Sequence, residues 1–597
     1  MSEEILKLKK EIERLKKAVK KHRYGLVWMD VPEAFEDDIE NKLPILKEVP
    51  ELAIKNNDGK PTHILIEGDN YHALTCLNYT HKGKIDIIYI DPPYNTGSDG
   101  FRYKDKRILD KYPDGTEVPK DNPFRHSYWL SFMRKRLELA KDILKDEGVI
   151  FINIDINELA QLKLLADEIF LESNLVSLIS VKVKDPAGVG QQSFIFDVSE
   201  YVLMYAKNIN IFKKIHQELP TDYEVLAEQY GSYNKIIIDF GKPKFIKEIM
   251  RQNVGKVKFY KCIDYKIERT TDFTLKEYTK KRNKIFADYN PNGGMILAIK
   301  DEIPQTGLSY IEYQPTKGRN AGEITKVYFL NNRIISWLSN VTYCENGKLF
   351  KGTKMTNVWD MPNASLYLEG GVDFTNGKKP LKLIKKLFGM LKIKNAVVLD
   401  FFAGSGTTGE AIMVLNEEDE LKRQFILVTN NDEITNGKTQ RIMSNVCYPR
   451  IKNTIKGYNS NKSLGNSIKF YKTTFIGKNN ILNATDQDKI ELAHNAGELL
   501  AIAENTLELT KQNKFYQLFE DGNKEKYTAV YFREELDKFD EFTEMVRKLK
   551  RQMAVYIFSW GDEEKIEEFD DIEQIKIKTI PLPILEIYKQ IYNLSTD

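Results

Sequence analysis

Apolar residues fall along this chain in two rhythms, and the places where the rhythm changes divide it. Ile5, Leu8, Ile12, Leu15 and Val19 recur at alternating steps of three and four, and Glu3 and Glu13 each precede a lysine, Lys7 and Lys17, by four residues. That spacing predicts an amphipathic helix ending near His22. Two heptads leave open whether it docks on the body of the protein or pairs with a second copy. Residues 30–60 are mixed and charged and read as a lead-in. From 61 to 206 short apolar runs alternate with helical patterns. Strands are expected at 63–66, 85–90, 149–154 and 201–205, and helices at 71–78, 131–144 and 158–170. Runs this rich in β-branched residues are those of strands buried on both faces of a parallel sheet, so the segment predicts a doubly wound α/β domain. The rhythm fails between 207 and 360 and returns with strands at 396–399 and 425–428. Beyond 465 a helix over 487–509 and strands over 527–532 and 553–558 predict a separate α/β module.

Candidate chemistry sits where the 85–90 strand stops, at Asp91-Pro92-Pro93-Tyr94-Asn95-Thr96-Gly97. Neither proline can donate to a strand ladder, and each fixes φ, so the strand ends there. The carboxyl end of a strand is where an open α/β sheet binds ligands. Asp91, the Pro92 carbonyl and the Tyr94 ring would then converge on one small volume, offering two acceptors beside a π face. A planar base with an exocyclic amine suits that set, because the amine has two N–H donors and its ring can stack. The bland alternative is a strand end capped by a proline turn. Asp-Pro-Pro-Tyr resembles the catalytic motif of amino-methyltransferases acting on DNA bases, and the Asp-first form followed by Asn-Thr-Gly resembles the N6-adenine group. The polar stretch 98–122 reads as a long loop that closes over the substrate.

The returning strand runs into Asp400-Phe401-Phe402-Ala403-Gly404-Ser405-Gly406-Thr407-Thr408-Gly409 and then a helical pattern. Glycines let the backbone approach a ligand, and the helix start offers free N–H groups. The spacing also fits a dinucleotide fingerprint, but such a turn would usually open its domain, and here it follows the candidate catalytic motif. The form resembles the S-adenosylmethionine motif of DNA methyltransferases. Catalytic motif, basic insertion, then cofactor motif is the permuted order of the β group of these enzymes, and joining the two segments restores one Rossmann-like sheet. The resemblance, strong over roughly 24–460, is to the modification subunits of type III restriction-modification systems. It implies S-adenosylmethionine as cofactor, with Asp69 and Asn70 after the 63–66 strand, Thr375 and Lys379 of a Lys-Pro element, and residues Asp400 to Ala403, Gly404, Gly406, Thr407 and Thr408 around it. Asp69 and Asn70 read equally well as an ordinary helix cap. Where many methyltransferases place an acid on the ribose, this chain has Asn430, Asn431 and Asp432. An Asn side chain or Asp432 would take that role.

Composition changes the picture in two places. The net charge of the 597 residues is only +2, yet 207–288 is rich in Lys and Arg, while 481–597 holds 15 Lys and Arg against 25 Asp and Glu. Basic residues interleaved with Tyr and Phe, at Lys256, Lys258, Lys280, Lys281, Arg282 and Lys284, suit phosphates and stacked bases; a solvated face is the alternative. The four cysteines lack paired spacing, so neither a disulfide framework nor a metal site is expected. No run has the length of a membrane span and the first residues are unlike a signal peptide, so a cytoplasmic location is expected.

Five segments follow: a lead-in (1–60), a catalytic half (61–206), a target-recognition insertion (207–360), a cofactor half (361–464) and a C-terminal interaction module (465–597). The expected activity is methyl transfer to N6 of a flipped adenine in double-stranded DNA. Expected partners are that duplex, a second copy in a homodimer, and a helicase and nuclease subunit supplied in trans, since the chain carries no phosphate-binding Gly-x-x-x-x-Gly-Lys motif. N4-cytosine transfer, an RNA or protein methyltransferase, and a non-catalytic DNA-reading scaffold are the competing readings.

Overall fold

The structure is a computed structural model. It describes Trp28 and residues 42–580, except 57, 97–110, 112–114, 120, 185–194, 217–220, 226–231, 252–254, 271–272, 292–293, 316–321, 346–347, 362–365, 375–377, 392, 432, 436–437, 478–485, 523, 533–535, 559–568 and 570–571. The expected N-terminal helix, most of the 98–122 loop, Thr375 and Asp432 lie outside the described residues.

Two compact units are formed, residues 1–217 with 357–597 and residues 218–356. The first is built on ten strands: β1 (Lys42–Glu48), β2 (Thr62–Glu67), β3 (Ile85–Ile90), β4 (Leu144–Ile154), β5 (Leu175–Lys182), β6 (Ser199–Ala206), β7 (Val358–Asp360), β8 (Val397–Asp400), β9 (Gln424–Thr429) and β10 (Ser467–Gly477). Their order is β1-β10-β2-β9-β8-β3-β4-β6-β5-β7. The six from β10 to β4 are mutually parallel. Each of their connections passes through helices such as α1 (Asn70–His81), α2 (Ser127–Ile143), α3 (Leu159–Ala166), α4 (Leu381–Gly389), α5 (Thr407–Asp419) and α6 (Tyr448–Lys456), because parallel neighbours need a crossover.

Every residue of β3 is buried. Ile85, Ile87, Ile88 and Ile90 each contribute about 1.5–3 kcal/mol by leaving water, which fixes β3 at the centre. Its neighbour on one side is β8, in the register Val398↔Ile87 and Leu399↔Ile88. From β8 the chain proceeds toward β9, and from β3 toward β4, so the direction of travel reverses between them. Ligands bind at such a switch point, outside the carboxyl ends.

Three expectations need correcting. The sheet is mixed, because β6 runs antiparallel to both β4 and β5. A boundary at 464/465 is not where the fold divides: β10 lies between β1 and β2, antiparallel to one and parallel to the other, and β1 falls in what read as lead-in. The helix Asp486–Glu504 joins the same hydrophobic cluster as β2 and α1 through Ala493, Ala496, Leu499 and Leu500. The inserted unit is also shorter than 207–360, since β7 pairs with β5. After Glu504 come a five-stranded sheet and the helix Leu536–Leu549.

The second unit holds an eight-stranded antiparallel sheet, in the order Lys266–Arg269, Lys235–Asp239, Ile285–Tyr289, Arg333–Trp337, Thr325–Leu330, Leu308–Tyr313, Gly255–Ile263 and Lys242–Arg251. Val257, Phe259, Ile311 and Phe329 on one face pack on Ile296, Ile299 and Ile303.

Because β10 is a central partner, a chain ended at residue 464 should leave the edges of β1 and β2 unpaired and show no cooperative thermal transition. A soluble fragment melting like the full chain would contradict this placement.

Candidate active site

Two prolines and a left-handed asparagine turn the chain away from the sheet after β3. Asn95 has φ +58°, a conformation that asparagine tolerates better than most residues. Its Nδ2 donates to Glu158 Oε1 at 2.5 Å, and His126 Nδ1 reaches the same oxygen at 2.6 Å. Trp129 Nε1 on α2 donates to the Pro93 carbonyl at 2.7 Å. The turn is thus held from behind by residues well downstream.

In front, Asp91 and Tyr94 meet three side chains from other elements. Tyr94 Oη lies 2.9 Å from Asp91 Oδ1 and 3.0 Å from Glu200 Oε2, and its one proton can serve only one of these carboxylates. Asn153, near the end of β4, donates from Nδ2 to Asp91 at 3.3 Å and to Glu200 at 3.0 Å, and it also contacts Tyr94 Oη. Lys379, just ahead of α4, donates to Tyr94 Oη at 2.5 Å and to Glu200 at 2.7 Å. Its ammonium lies 3.4 Å from Asp91 and 4.6 Å from the centre of the Tyr94 ring.

Burial and Lys379 act in opposition on the two acids. Burial raises the Asp91 carboxyl above its ordinary range, and Lys379 only partly opposes it. Burial also pushes Glu200 up, but the charge and hydrogen bond of Lys379, with Asn153 and Tyr94, outweigh it and hold Glu200 below the ordinary range. Burial lowers Lys379 and the two acids more than restore it, so its ammonium is favoured. The charge is shared unequally, with the shorter contact to Glu200.

Beside this cluster, β8 ends at Asp400, whose carboxylate accepts from the Phe402 N–H at 3.0 Å and from Thr408 Oγ1 at 2.6 Å. Asp400 therefore shapes the turn. Burial pushes its carboxyl up to about 7, with those hydrogen bonds opposing and Asp91 adding to the rise. Gly404 and Gly406 adopt φ +48° and +78°, and Gly406 caps α5. Phe401, Phe402 and Ala403 are buried. Thr407 Oγ1 and Ser405 Oγ accept from the buried guanidinium of Arg450 at 2.7 and 3.2 Å, and Arg450 also pairs with Glu410 at 2.6 Å.

Asp69 does cap α1, accepting from the Tyr71 N–H at 2.8 Å. Asn70 donates to the Phe401 carbonyl at 3.0 Å and accepts from the buried Arg136 at 2.5 Å, tying α1 to the glycine turn. The two asparagines after β9 differ. Both ends of Asn431 are taken up by Ser444, at 2.8 and 3.0 Å. Asn430 Oδ1 is buried and meets no donor among the described residues; an unpaired buried acceptor costs about 1–3 kcal/mol.

The structure thus brings together Asp91, Tyr94, Lys379 and the Asp400 turn, and Lys379, expected at the cofactor, contacts the carboxylates of Glu200 and Asp91. Glu200 and Asn153 had no signal in the sequence beyond polar side chains in strands otherwise apolar. The basic candidates lie in the other unit and several have structural partners there. Lys256 pairs with Glu248 at 2.8 Å, Lys281 with Glu277 at 3.6 Å, and Arg282 donates to the Thr342 carbonyl at 3.0 Å. Lys280 and Lys281 end the helix Leu275–Lys281, Lys284 follows it, and Lys258 lies opposite Glu248 and Glu312. Among the described residues no cluster of potential metal ligands is found, and no helix is long and apolar enough to cross a membrane.

The family model described as DNA methylase (N6_N4_Mtase) matches residues 85–440. The probable type III restriction-modification enzyme HindVI Mod subunit of Haemophilus influenzae is 32% identical over 411 residues, covering 65% of this chain and 51% of that one. The StyLTI Mod subunit of Salmonella typhimurium is 33% identical over 404 residues, covering 64% and 54%. The type II methyltransferase M.KpnI of Klebsiella pneumoniae is 30% identical over 387 residues, covering 62% and 80%. The chain spans about half the length of the two Mod subunits.

The hydrogen bond to Glu158 raises the His126 imidazole above its ordinary value, against burial. The stabilisation this gives is fully present below the unfolded value of about 6.5 and is lost as pH rises through the raised folded value. The melting-temperature gap between wild type and His126→Gln should therefore be widest near pH 6 and narrow at higher pH; a gap independent of pH would show that the pair does not hold the turn.

Proposed function

Since the chain belongs to the DNA methylase family, we propose that it transfers a methyl group from S-adenosylmethionine to N6 of an adenine in double-stranded DNA, as the modification and recognition subunit of a restriction-modification system. The observation that carries this is the pairing of β3 with β8. It sets the acceptors and π face at Asp91–Tyr94 beside the glycine turn at Asp400–Gly406.

The residues suit the cofactor. Gly404 and Gly406 leave two positions of the turn without a side chain, Gly406 caps the start of α5, where backbone N–H groups lack intrahelical partners, and the unsatisfied Asn430 Oδ1 supplies an acceptor of the kind a ribose hydroxyl needs. Asp69, Asn70, Phe401, Phe402 and Thr408 shape that cradle. When bound, S-adenosylmethionine supplies an electrophilic methyl group on a sulfonium.

Adenine must leave the stack to reach Asp91, at a cost of a few kcal/mol. Stacking on Tyr94 offsets about 1–3 kcal/mol of it. Lys379 lies at the hydroxyl end of that ring, and Glu200 is the carboxylate that keeps it there. With Lys379 drawn to Glu200, Asp91 and the Pro92 carbonyl accept the two N–H bonds of the amine. This directs its lone pair away from the ring, and alignment supplies much of the rate. The nitrogen gains a bond to carbon and must shed a proton; Asp91, held above the ordinary carboxyl range, is placed to take it.

The test is nucleoside analysis of duplex DNA methylated by the purified protein. N6-methyladenine is expected, N4-methylcytosine would overturn the choice of base, and unmodified DNA would overturn the reaction. Asp91→Ala should lower methyl transfer at least ~10²-fold while DNA binding persists. Glu200→Gln should lower kcat by roughly 10–10²-fold, as expected when positioning is lost, with cofactor affinity unchanged and partial recovery in Glu200→Asp. An unchanged kcat would leave Glu200 without a role. Gly404→Val, whose Cβ would meet only the Phe402 carbonyl, at 3.7 Å, should abolish cofactor binding by calorimetry while circular dichroism stays native.

A further inference from the structure

Within the unit of residues 218–356, the strand Lys242–Arg251 is the last of its sheet and, among the described residues, pairs with Gly255–Ile263 alone. Over 242–263 the ribbon carries seven Lys and Arg, namely 242, 244, 247, 251, 256, 258 and 261, against one acid, Glu248. Phe245 and Met250 are 53% and 72% exposed. An open edge bearing both cations and large apolar side chains is unusual. Lysines alone would guard the edge against pairing, but exposed Phe245, Ile246 and Met250 would undo that protection, so the edge reads as a surface in use.

The register sorts its side chains. Phe245 lies opposite Tyr260, Glu248 opposite Lys258 and Met250 opposite Lys256, placing these six on one face. Lys242, Lys244 and Lys261 belong to the other face and are exposed. Cations thus flank the ribbon on both sides. The ribbon is also braced along the face that carries Phe245 and Tyr260. Phe245 meets Tyr260 at 5.6 Å, Tyr260 stacks on Tyr310 at 4.7 Å, and the chain of rings continues through Tyr328 to Trp337 at 5.2 and 5.6 Å. An extra residue in the edge strand opposite Phe259 and Tyr260 marks a bulge, which increases local twist.

The major groove of B-DNA admits two paired antiparallel strands; here they are the outer pair of the sheet, entering by the free edge, since Gly255–Ile263 is also paired over 257–261 with Leu308–Tyr313. Resting on the proposed DNA methylation, we infer that residues 242–251 and 255–263 enter the major groove of the target duplex. Lys242, Lys244 and Lys261 meet phosphates, and Phe245, Met250 and Lys258 meet base edges, where apolar side chains recognise the thymine methyl. A second copy is a poor occupant, since full antiparallel pairing of two such edges would set Lys242 of each copy against Arg251 of the other. Within the ribbon Lys247 and Arg251 pair with Glu302 and Lys256 pairs with Glu248, so the charge offered to phosphates is that of Lys242, Lys244 and Lys261.

The experiment uses the full chain and begins by sequencing DNA methylated by wild type, which defines the site and establishes the parent reaction. If wild type methylates no DNA, the parent reading fails and this one with it. Given methylation, Lys242→Ala with Lys244→Ala and Lys261→Ala should weaken binding to all duplexes, and the slope of log K against log salt should flatten by up to ~0.9 per lost contact, ~2.7 in all. Phe245→Ala with Met250→Ala should lower the preference for the methylated site over other duplexes by about tenfold or more, with the salt slope unchanged. Wild-type slope and preference in both variants, at unchanged melting temperature, would overturn the inference. So would a change in sedimentation mass without a change in DNA binding, which would assign the edge to a protein partner.

Discussion

One ammonium shared between two carboxylates sets the conditions for everything around it. Asp91 and Glu200 both approach Tyr94 Oη, and without Lys379 two buried negative charges would face each other across one hydroxyl. A buried pair of like charges raises at least one pKa, and the site would be left with a proton in place of an acceptor. Lys379 removes that conflict but introduces another, because its own charge also attracts Asp91, the carboxylate proposed to accept from the amine. The difference between 2.7 and 3.4 Å shows where the balance falls. Asn153 contributes by donating to both acids, keeping their separation fixed from β4.

The geometry of this group depends on elements far apart in sequence, and buried arginines do much of the joining. Arg136 on α2 links the cap of α1 to the turn after β8 through Asn70. Arg450 on α6 bonds the start of α5 through Ser405, Thr407 and Glu410. Each fully buried guanidinium is matched by several acceptors, as a buried charge must be. Such residues specify one arrangement more than they stabilise it, because the gain from pairing roughly offsets the cost of desolvation.

What could be read in advance followed from local chemistry. The strands at 85–90 and 425–428 announce themselves by uninterrupted apolar residues, and the proline pair and the glycine turn mark where they end. Long-range partners had no such mark. Glu200 opens a strand much as any polar residue at an edge would, and only the antiparallel placement of β6 beside β4 brings it to Tyr94. Ser467–Gly477 alternates like a strand, yet no residue in it tells which sheet it joins. Arg282 reads as a cation for phosphate until its bond to the Thr342 carbonyl is seen. Asn430 is the converse case: the residue type departed from the acid expected there, and an unsatisfied oxygen distinguishes it from Asn431.

The inserted unit leaves the ten-stranded sheet after β6 and returns to it at β7, and only β5 separates those two strands. Both crossings therefore belong to one margin of the sheet, away from β3 and β8. No strand pairing of the ten-stranded sheet involves the described residues between the crossings. The passage can therefore vary in length and spelling, as a cassette with two fixed joints, without altering the pairing of β3 with β8.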